Sequence, residues 1–135
     1  RIDELENIDE LTRLLAGRPL VVFGDGRQTR DYVFVKDVAR ANVLASKLRA
    51  PSGDIDAPAF NIATSIQRSV LELAASVGKV MRQKPTIEFA AARPGELLRS
   101  ALDVSKAKAV LGWTPQHVFE DGLRELVDWF KKEAR

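Results

Sequence analysis

Short apolar runs alternate with amphipathic segments along this chain, and that alternation constrains the fold more than any other feature. Residues 20–23, 32–35 and 86–89 are rich in aliphatic, β-branched or aromatic side chains, and residues 60–63 form a briefer run of the same kind. These four runs predict strands. Between them, apolar residues recur every three or four positions, which is the spacing of one face of a helix. Strands alternating with helices predict an α/β fold.

Five helices are predicted from this periodicity and from residues that favour helix ends. Gly17 and Pro19 end the first helix, and Ser69 with Glu72 forms the capping-box pattern that begins the third. The predicted helices are residues 2–15, a segment capped by Asp37, the segment after Ser69, a short helix opened by Ser105 and closed by Gly112, and a last helix carrying Phe119, Leu123, Leu126 and Phe130.

The composition is that of one ordinary globular domain. A chain of 135 residues with 45% hydrophobic and 30% charged side chains can form one core and is unlike disordered or fibrous proteins. No apolar run exceeds four residues, so no segment can span a bilayer, and the N-terminus lacks the apolar stretch of a secretion signal. We therefore expect a single domain over residues 1–135, in the cytoplasm and without a membrane partner.

Charge and residue types exclude several functions. The 21 lysines and arginines are scattered among 19 acids, so the excess of two positive charges forms no block for nucleic acid. The absence of cysteine excludes disulfides, thiolate zinc sites and cysteine nucleophiles, and one histidine, His117, cannot form a histidine metal cluster. We expect no metal site, and we interpret His117 as a surface or helix-entry residue.

Two motifs resemble catalytic signatures without meeting their requirements. Gly24 and Gly26 suggest a dinucleotide fingerprint, but its third glycine would fall at Thr29 and no helix pattern begins there. We interpret these glycines as supplying the positive φ of a tight turn. Tyr32 and Lys36 have the spacing of a catalytic tyrosine–lysine pair, which requires a helix, whereas four steps of extended chain separate their Cα atoms by about 13 Å.

Three stretches, in one order along the chain, carry a resemblance to a known family. They are residues 22–39, which read VFGDGRQTRDYVFVKDVA, residues 60–63 with 69–74, and a C-terminal set formed by residues 93–96, 102–108, 111–115 and 120–123. Together they resemble the substrate-binding portion of nucleotide-sugar epimerases and dehydratases, which are extended short-chain dehydrogenases with a Rossmann-like fold. The resemblance covers residues 12–132 and implies the C-terminal part of that fold, lacking the N-terminal dinucleotide-binding half.

The resemblance implies a binding role for four residues. In the family, arginines at the positions of Arg30 and Arg93 hold the diphosphate of the nucleotide sugar, and the residues at Tyr32 and Glu96 lie near its ribose and base. A guanidinium suits this role because its planar, permanently charged fork matches the oxygens of a diphosphate. Two alternatives stay open: Arg30 and Asp31 form a surface ion pair, or residues 93–96 are an ordinary turn.

The residues that perform the family's chemistry have no counterpart in the matching stretches. The family uses bound NAD to remove a hydride transiently, with a tyrosine as acid and base and a lysine to tune it. This chain has neither a glycine fingerprint nor a helical tyrosine–lysine pair, so we expect no catalytic or cofactor-binding residue and no activity of the chain alone. NAD is implied for the complete enzyme. Lys36 and Ser65 stand where the family commonly has an acid and a glycine.

Two functions remain after this reasoning. The first is the nucleotide-sugar binding portion, with a UDP-sugar favoured, of an NAD-dependent epimerase or dehydratase. The second is a non-catalytic structural or interaction module with a vestigial site. Because parallel strands are normally covered on both faces, such a module would form a homo-oligomer through residues 2–15 or associate with a separately encoded N-terminal half.

Overall fold

A computed structural model describes residues 12–48 and 58–133. The N-terminal part of the helix predicted over residues 2–15 lies outside the described residues, and residues 12–15 are helical. No helix of the described residues is long and apolar enough to cross a membrane. The elements in chain order are β1 (Leu20–Phe23), β2 (Thr29–Arg30), α1 (Val35–Ala45), β3 (Arg68–Ser69), α2 (Val70–Met81), β4 (Ile87–Ala90), α3 (Ser105–Leu111) and α4 (Phe119–Glu133).

The strands form two small sheets of opposite type. β1 and β4 are parallel, with Leu20 opposite Ile87 and Phe23 opposite Ala90. β2 and β3 are antiparallel, with Arg30 opposite Arg68. The predicted α/β class is therefore confirmed. Because β1 and β4 run in the same direction, both end at one edge of their sheet, and the loops that follow them begin side by side.

Two apolar clusters form the core. The larger one joins residues of the first helical segment, β1, α2 and α4, with Leu14, Leu73, Val77, Leu123 and Val127 among its members. The smaller one surrounds Trp113, whose side chain is fully buried against α1 and α3. The indole Nε1–H of Trp113 donates to the Asp37 carbonyl at 2.9 Å, so this large side chain is buried with its polar atom satisfied.

Several predicted helix ends are confirmed. Ser69 Oγ accepts the Glu72 N–H at 3.2 Å, and a Glu72 carboxylate oxygen accepts the Ser69 N–H at 2.6 Å, which completes the capping box of α2. The Ser69 N–H and hydroxyl donate to this carboxylate and thereby lower the pKa of Glu72. Gly112 ends α3 at φ +63°, a left-handed conformation that favours glycine. The last helix forms where its apolar spacing predicts it.

Two of the predicted strands are wrong. Residues 32–35 form no strand, and the nearest strand is β2, which ends at Arg30. β2 is short because only two residues of β3 pair with it. Phe34 then occupies the N-cap position of α1 with an extended backbone, and Val35 begins the helix. Residues 60–63 form no strand because they pair with no strand of the described residues. Their apolar side chains pack around Trp113 instead.

Two predicted helix caps are also wrong. Asp37 lies within the first turn of α1, where its carboxylate accepts hydrogen bonds from the backbone just before α4 instead of from its own helix. Ser105 is the first residue of α3, and Val104 occupies the cap position. Asp103 accepts the Ser105 N–H at 2.8 Å, and the hydroxyl and N–H of Ser105 together lower the pKa of Asp103. The capping carboxylate therefore stands two residues before the predicted one.

Candidate functional site

Two loops meet at the edge where the parallel strands end. Residues 24–30 follow β1, residues 91–99 follow β4, and the Gly24 N–H donates to the Ala90 carbonyl at 3.0 Å. These loops contain four arginines and two acids, so they carry an excess of two positive charges. Ligands of α/β proteins commonly bind beyond the carboxyl ends of parallel strands. The placement of this positive charge therefore favours an anionic ligand.

The glycine turn after β1 allows α2 to pack closely against it. Gly24 and Gly26 have φ values of +70° and +71°, as predicted for a tight turn, and Asp25 Oδ1 accepts the Arg27 N–H at 2.9 Å. A Cβ atom on Gly26 would lie 2.7 Å from Leu71 Cγ of α2, so the absence of a side chain lets the helix approach. Thr29 belongs to β2, and no helix follows the turn. These residues do not fit a bound dinucleotide.

Arg30 is held against the loop after β4. Its Nη2 lies 3.2 Å from Glu96 Oε1, and its Nη1 donates to the Leu97 carbonyl at 2.7 Å and the Thr29 carbonyl at 3.0 Å. The Arg30 and Glu96 side chains are only about a quarter exposed. Asp31 accepts hydrogen bonds from another loop, so the ion partner of Arg30 is Glu96, and the surface-pair alternative is wrong.

Arg93 lies at the start of the turn that contains Glu96. The Glu96 N–H donates to the Arg93 carbonyl at 3.3 Å, and Gly95 has a φ of +80°, so residues 93–96 do form a turn. The Arg93 guanidinium carbon lies 3.8 Å from the centroid of the Phe23 ring, at the end of β1. Arg30 and Arg93 are thus both attached to one turn, and we call Arg30, Arg93 and Glu96 the arginine cluster.

Tyr32 packs away from the arginine cluster in its described contacts. Its ring centroid lies 6.0 Å from that of Phe119 at the start of α4, and it packs against the larger core cluster. It also lines a cleft of about 670 Å³ between α2, α4 and the loops around residues 31–34, 64–68 and 115–119. The structure therefore joins Arg30 to Glu96 by an ion pair, places Arg93 at the start of the same turn, and places Tyr32 on the wall of a neighbouring cleft. Their ligand roles stay predictions.

The cleft is mostly apolar, with Asp31, Arg68 and His117 at its wall. The Arg68 guanidinium lies 4.4 Å from the Phe119 ring centroid, and Asp31 accepts hydrogen bonds from the Thr64 N–H and hydroxyl and from the following N–H. His117 stacks on Phe34, at 4.7 Å between ring centroids. Each of these groups contacts protein, and the position of His117 just before α4 confirms that it is a helix-entry residue.

His117 also has a partner that lies far from it in the sequence. Its Nδ1 is 3.2 Å from Asp37 Oδ2, which also accepts the backbone N–H groups of Gln116 and His117 at 3.1 and 3.0 Å. Burial raises the pKa of Asp37, but the two backbone N–H groups and the neighbouring His117 side chain lower it by more, so the net shift is downward. The carboxylate joins α1 to the segment that leads into α4.

Sequence reasoning missed two residues beside the arginine cluster. Phe23 supplies the aromatic ring beneath Arg93, and Gln28 lies buried between the ends of the two loops. An aromatic residue at the end of a strand is a weak signal, because the sequence does not show which charge will lie over it. The position of Gln28 carries no signal in a single sequence, since its partner in the other loop is 68 residues away.

Comparison with known proteins identifies the family. Residues 6–126 match the sequence profile of the family described as GDP-mannose 4,6 dehydratase. The UDP-glucose 4-epimerase of Mycolicibacterium smegmatis is 39% identical over 122 residues, which are 90% of this chain and 37% of that protein. The dTDP-glucose 4,6-dehydratase of Haemophilus influenzae is 34% identical, over 89% of this chain and 38% of that protein. The chain thus spans little more than a third of the length of these relatives.

Solved structures of the same group share the fold. The Bacillus cereus UDP-glucuronic acid 4-epimerase, in complex with UDP-glucuronic acid and NAD, matches with a TM-score of 0.82 and 30% identity, over 92% of this chain and 38% of that one. The Thermotoga maritima UDP-glucose 4-epimerase with UDP-glucose matches with a TM-score of 0.81 and 35% identity, over 93% of this chain and 38% of that one. The resemblance noted in the sequence is confirmed. The chain belongs to the GDP-mannose 4,6 dehydratase family, and its fold is the part of the extended short-chain dehydrogenase fold that it shares with these epimerases.

Proposed function

We propose that this chain forms the nucleotide-sugar binding portion of an NAD-dependent epimerase or dehydratase, and that Arg30 and Arg93 hold the diphosphate of a UDP-sugar. The observation that carries the proposal is the attachment of both arginines to one turn at the carboxyl edge of the parallel strands. Related structures contain UDP-glucuronic acid or UDP-glucose, which supports the choice of ligand.

The other two residues have supporting roles in this proposal. Glu96 restrains one side of the Arg30 guanidinium and, as an ionised carboxylate, accepts hydrogen bonds from ribose hydroxyls at the edge of the cluster. Tyr32 follows Arg30 by two residues, and its ring lies on the wall of the apolar cleft, against Phe119. We assign the nucleoside to this wall and the diphosphate to the guanidinium groups.

The proposal assigns no chemical step to this chain. NAD, when bound in the complete enzyme, supplies the transient removal and return of a hydride. The Gly24–Gly26 turn does not fit a dinucleotide, and Lys36 pairs with Glu125 of α4 instead of with Tyr32. We therefore expect substrate binding, and no epimerisation or dehydration, from this chain by itself.

Calorimetric titration with UDP-glucose tests the proposal. A charge-assisted hydrogen bond contributes about 1.5–3 kcal/mol, so Arg30→Ala and Arg93→Ala should each weaken binding by roughly ten- to a hundredfold. Arg27→Ala is the matched control, because Arg27 lies in the same loop with its side chain 85% exposed and should change binding less than threefold. Absence of binding at millimolar UDP-glucose, or equal effects of all three substitutions, contradicts the proposal.

A second function is favoured by exposed apolar side chains around the same sheet. Phe89 on β4 is 62% exposed, and Leu97 and Leu98 in the following loop are 67% and 76% exposed. Because both faces of a parallel sheet are normally covered, we propose self-association through this surface as the alternative. Sedimentation equilibrium tests it: Phe89→Ser should abolish a concentration-dependent increase in mass, and a monomer at all concentrations contradicts it.

A further inference from the structure

We propose that Gln28 is a positioning residue that orients Arg30 for the diphosphate by restraining Glu96. This inference rests on the proposed function, since it concerns the same anion site. Gln28 and Asp37 are the two buried polar side chains among the described residues, and only 7% of the Gln28 surface is exposed. A buried amide requires hydrogen-bond partners, and those of Gln28 lie at the end of β1 and in the turn after β4.

The Gln28 side chain joins the end of β1 to the turn after β4. Its Nε2 donates to the Phe23 carbonyl at 3.0 Å and approaches Glu96 Oε1 at 3.5 Å, so its two N–H bonds have different partners. The Glu96 oxygen that Gln28 approaches is the oxygen that accepts Arg30 Nη2 at 3.2 Å. The contacts therefore run from β1 through the amide and the carboxylate to the guanidinium.

The backbone around Gln28 is fixed, so its side chain can act as a rigid support. The Gln28 carbonyl accepts the N–H of Val70, the first residue of α2, at 3.2 Å, and the Gly26 carbonyl accepts the next N–H of that helix, also at 3.2 Å. Because the Gln28 backbone is attached to a helix and a strand, its side chain can hold the Arg30 guanidinium in one orientation before the ligand binds. Less side-chain entropy is then lost on binding than if the loop alone held the guanidinium.

The chemistry of this position requires a neutral donor. The Arg30 guanidinium has a fixed orientation because Nη2 contacts Glu96 and Nη1 donates to the Leu97 carbonyl. This orientation requires that the Glu96 carboxylate stays in place. An amide restrains that carboxylate without competing for Arg30. A carboxylate at the same position would repel Glu96, and a thioether would leave it without a second donor.

The test compares Gln28→Met and Gln28→Glu in calorimetric titrations with UDP-glucose, whose diphosphate diester does not titrate between pH 5 and 8. Gln28→Met should weaken binding by about two- to tenfold, because it removes the long hydrogen bond that restrains Glu96. Gln28→Glu should weaken it further at pH 8 and recover toward pH 5, as one of the two facing carboxylates takes up a proton. A purely space-filling role predicts an unchanged affinity in Gln28→Met, because methionine fills a similar volume.

A second measurement does not depend on the nucleotide sugar. The nitrogen NMR signals of the Arg30 guanidinium should show slow rotation in the unmodified chain and faster rotation in Gln28→Met. Equal rotation in both proteins, or a Gln28→Glu affinity that does not change with pH, overturns the positioning role. Failure of the unmodified chain to bind UDP-glucose refutes the proposed function instead, and the rotation measurement still decides whether Gln28 restrains Arg30.

Discussion

Replacement of Asp37 by asparagine should remove a large part of the stability of this chain. The Asp37 side chain is 1% exposed, and its Oδ2 accepts two backbone N–H groups and lies 3.2 Å from His117 Nδ1. Arg40 Nη2 lies 3.6 Å from the other carboxylate oxygen. Asparagine keeps the shape and an oxygen for the two backbone N–H groups, but it removes the negative charge that lies between His117 and Arg40.

The expected loss is about 1.5–3 kcal/mol, the range for a hydrogen bond to a charged group, because asparagine keeps an acceptor for the backbone N–H groups but carries no charge. The free energy of unfolding of natural domains is about 5–15 kcal/mol, so the substitution should remove a substantial fraction of it. Urea denaturation at pH 7, followed by the fluorescence of the buried Trp113, measures the loss.

The pH dependence gives an independent check on the charge. The pKa of Asp37 in the folded chain lies below its ordinary value of 3.8. The folded carboxylate therefore binds fewer protons than the unfolded one, and its contribution to stability is complete above about pH 4 and is lost as pH falls through the folded pKa. The unmodified chain should lose this stability below pH 4, and Asp37→Asn should lose correspondingly less.

Asp121→Asn is the matched control for this experiment. Asp121 forms an exposed pair with Arg124, at 2.7 Å and one helical turn away, with its side chain 62% exposed. Its replacement should change stability by less than about 0.5 kcal/mol. The reasoning about burial is refuted if Asp37→Asn stays within that range at pH 7, or if both substitutions cost the same.

Three further substitutions test the backbone and the helix ends by the same urea titration. Gly26→Ala should lower the free energy of unfolding by about 2–4 kcal/mol, because it combines a positive φ with a Cβ atom 2.7 Å from Leu71 Cγ. Gly112→Ala has a positive φ but meets no atom within 4 Å, so it should cost only about 1–2 kcal/mol. Equal losses would contradict the contribution of the steric clash. Ser69→Ala should cost about 1 kcal/mol through loss of the α2 cap, with Ser76→Ala in the same helix near neutral; a larger effect of Ser76→Ala would count against it. Arg82→Gly should gain about 0.5–1 kcal/mol, because Arg82 holds a left-handed φ of +55° at the end of α2, and Arg82→Ala should gain nothing.

The sequence predicted correctly those features of the fold that depend on contacts between residues close together in the chain. The capping box at Ser69, the glycine that ends α3 and the apolar spacing of α4 each depend on residues within one or two helical turns, and all three are confirmed. The strand predicted at residues 32–35 failed because β propensity describes a side chain that suits a sheet, while a strand also needs a partner of equal length.

The candidate site was predictable only where its residues belong to recognisable motifs. Arg30, Arg93 and Glu96 were selected through the family resemblance, and the structure pairs Arg30 with Glu96 in the turn that begins at Arg93. The pairing of Asp37 with His117, the ring of Phe23 under Arg93 and the amide of Gln28 between two loops were not predictable, because each joins segments distant in sequence. A single sequence carries no information about which distant residues meet.

The parallel pairing of β1 with β4 has a consequence for the order of synthesis. Arg30 and Glu96 are 66 residues apart, and the strands before them are separated by a similar length of chain. During synthesis β1 therefore cannot pair with β4 until residue 90 has left the ribosome, which takes several seconds at ordinary translation speeds of about 5–20 residues per second. The ion pair between Arg30 and Glu96 therefore forms only after that interval has ended.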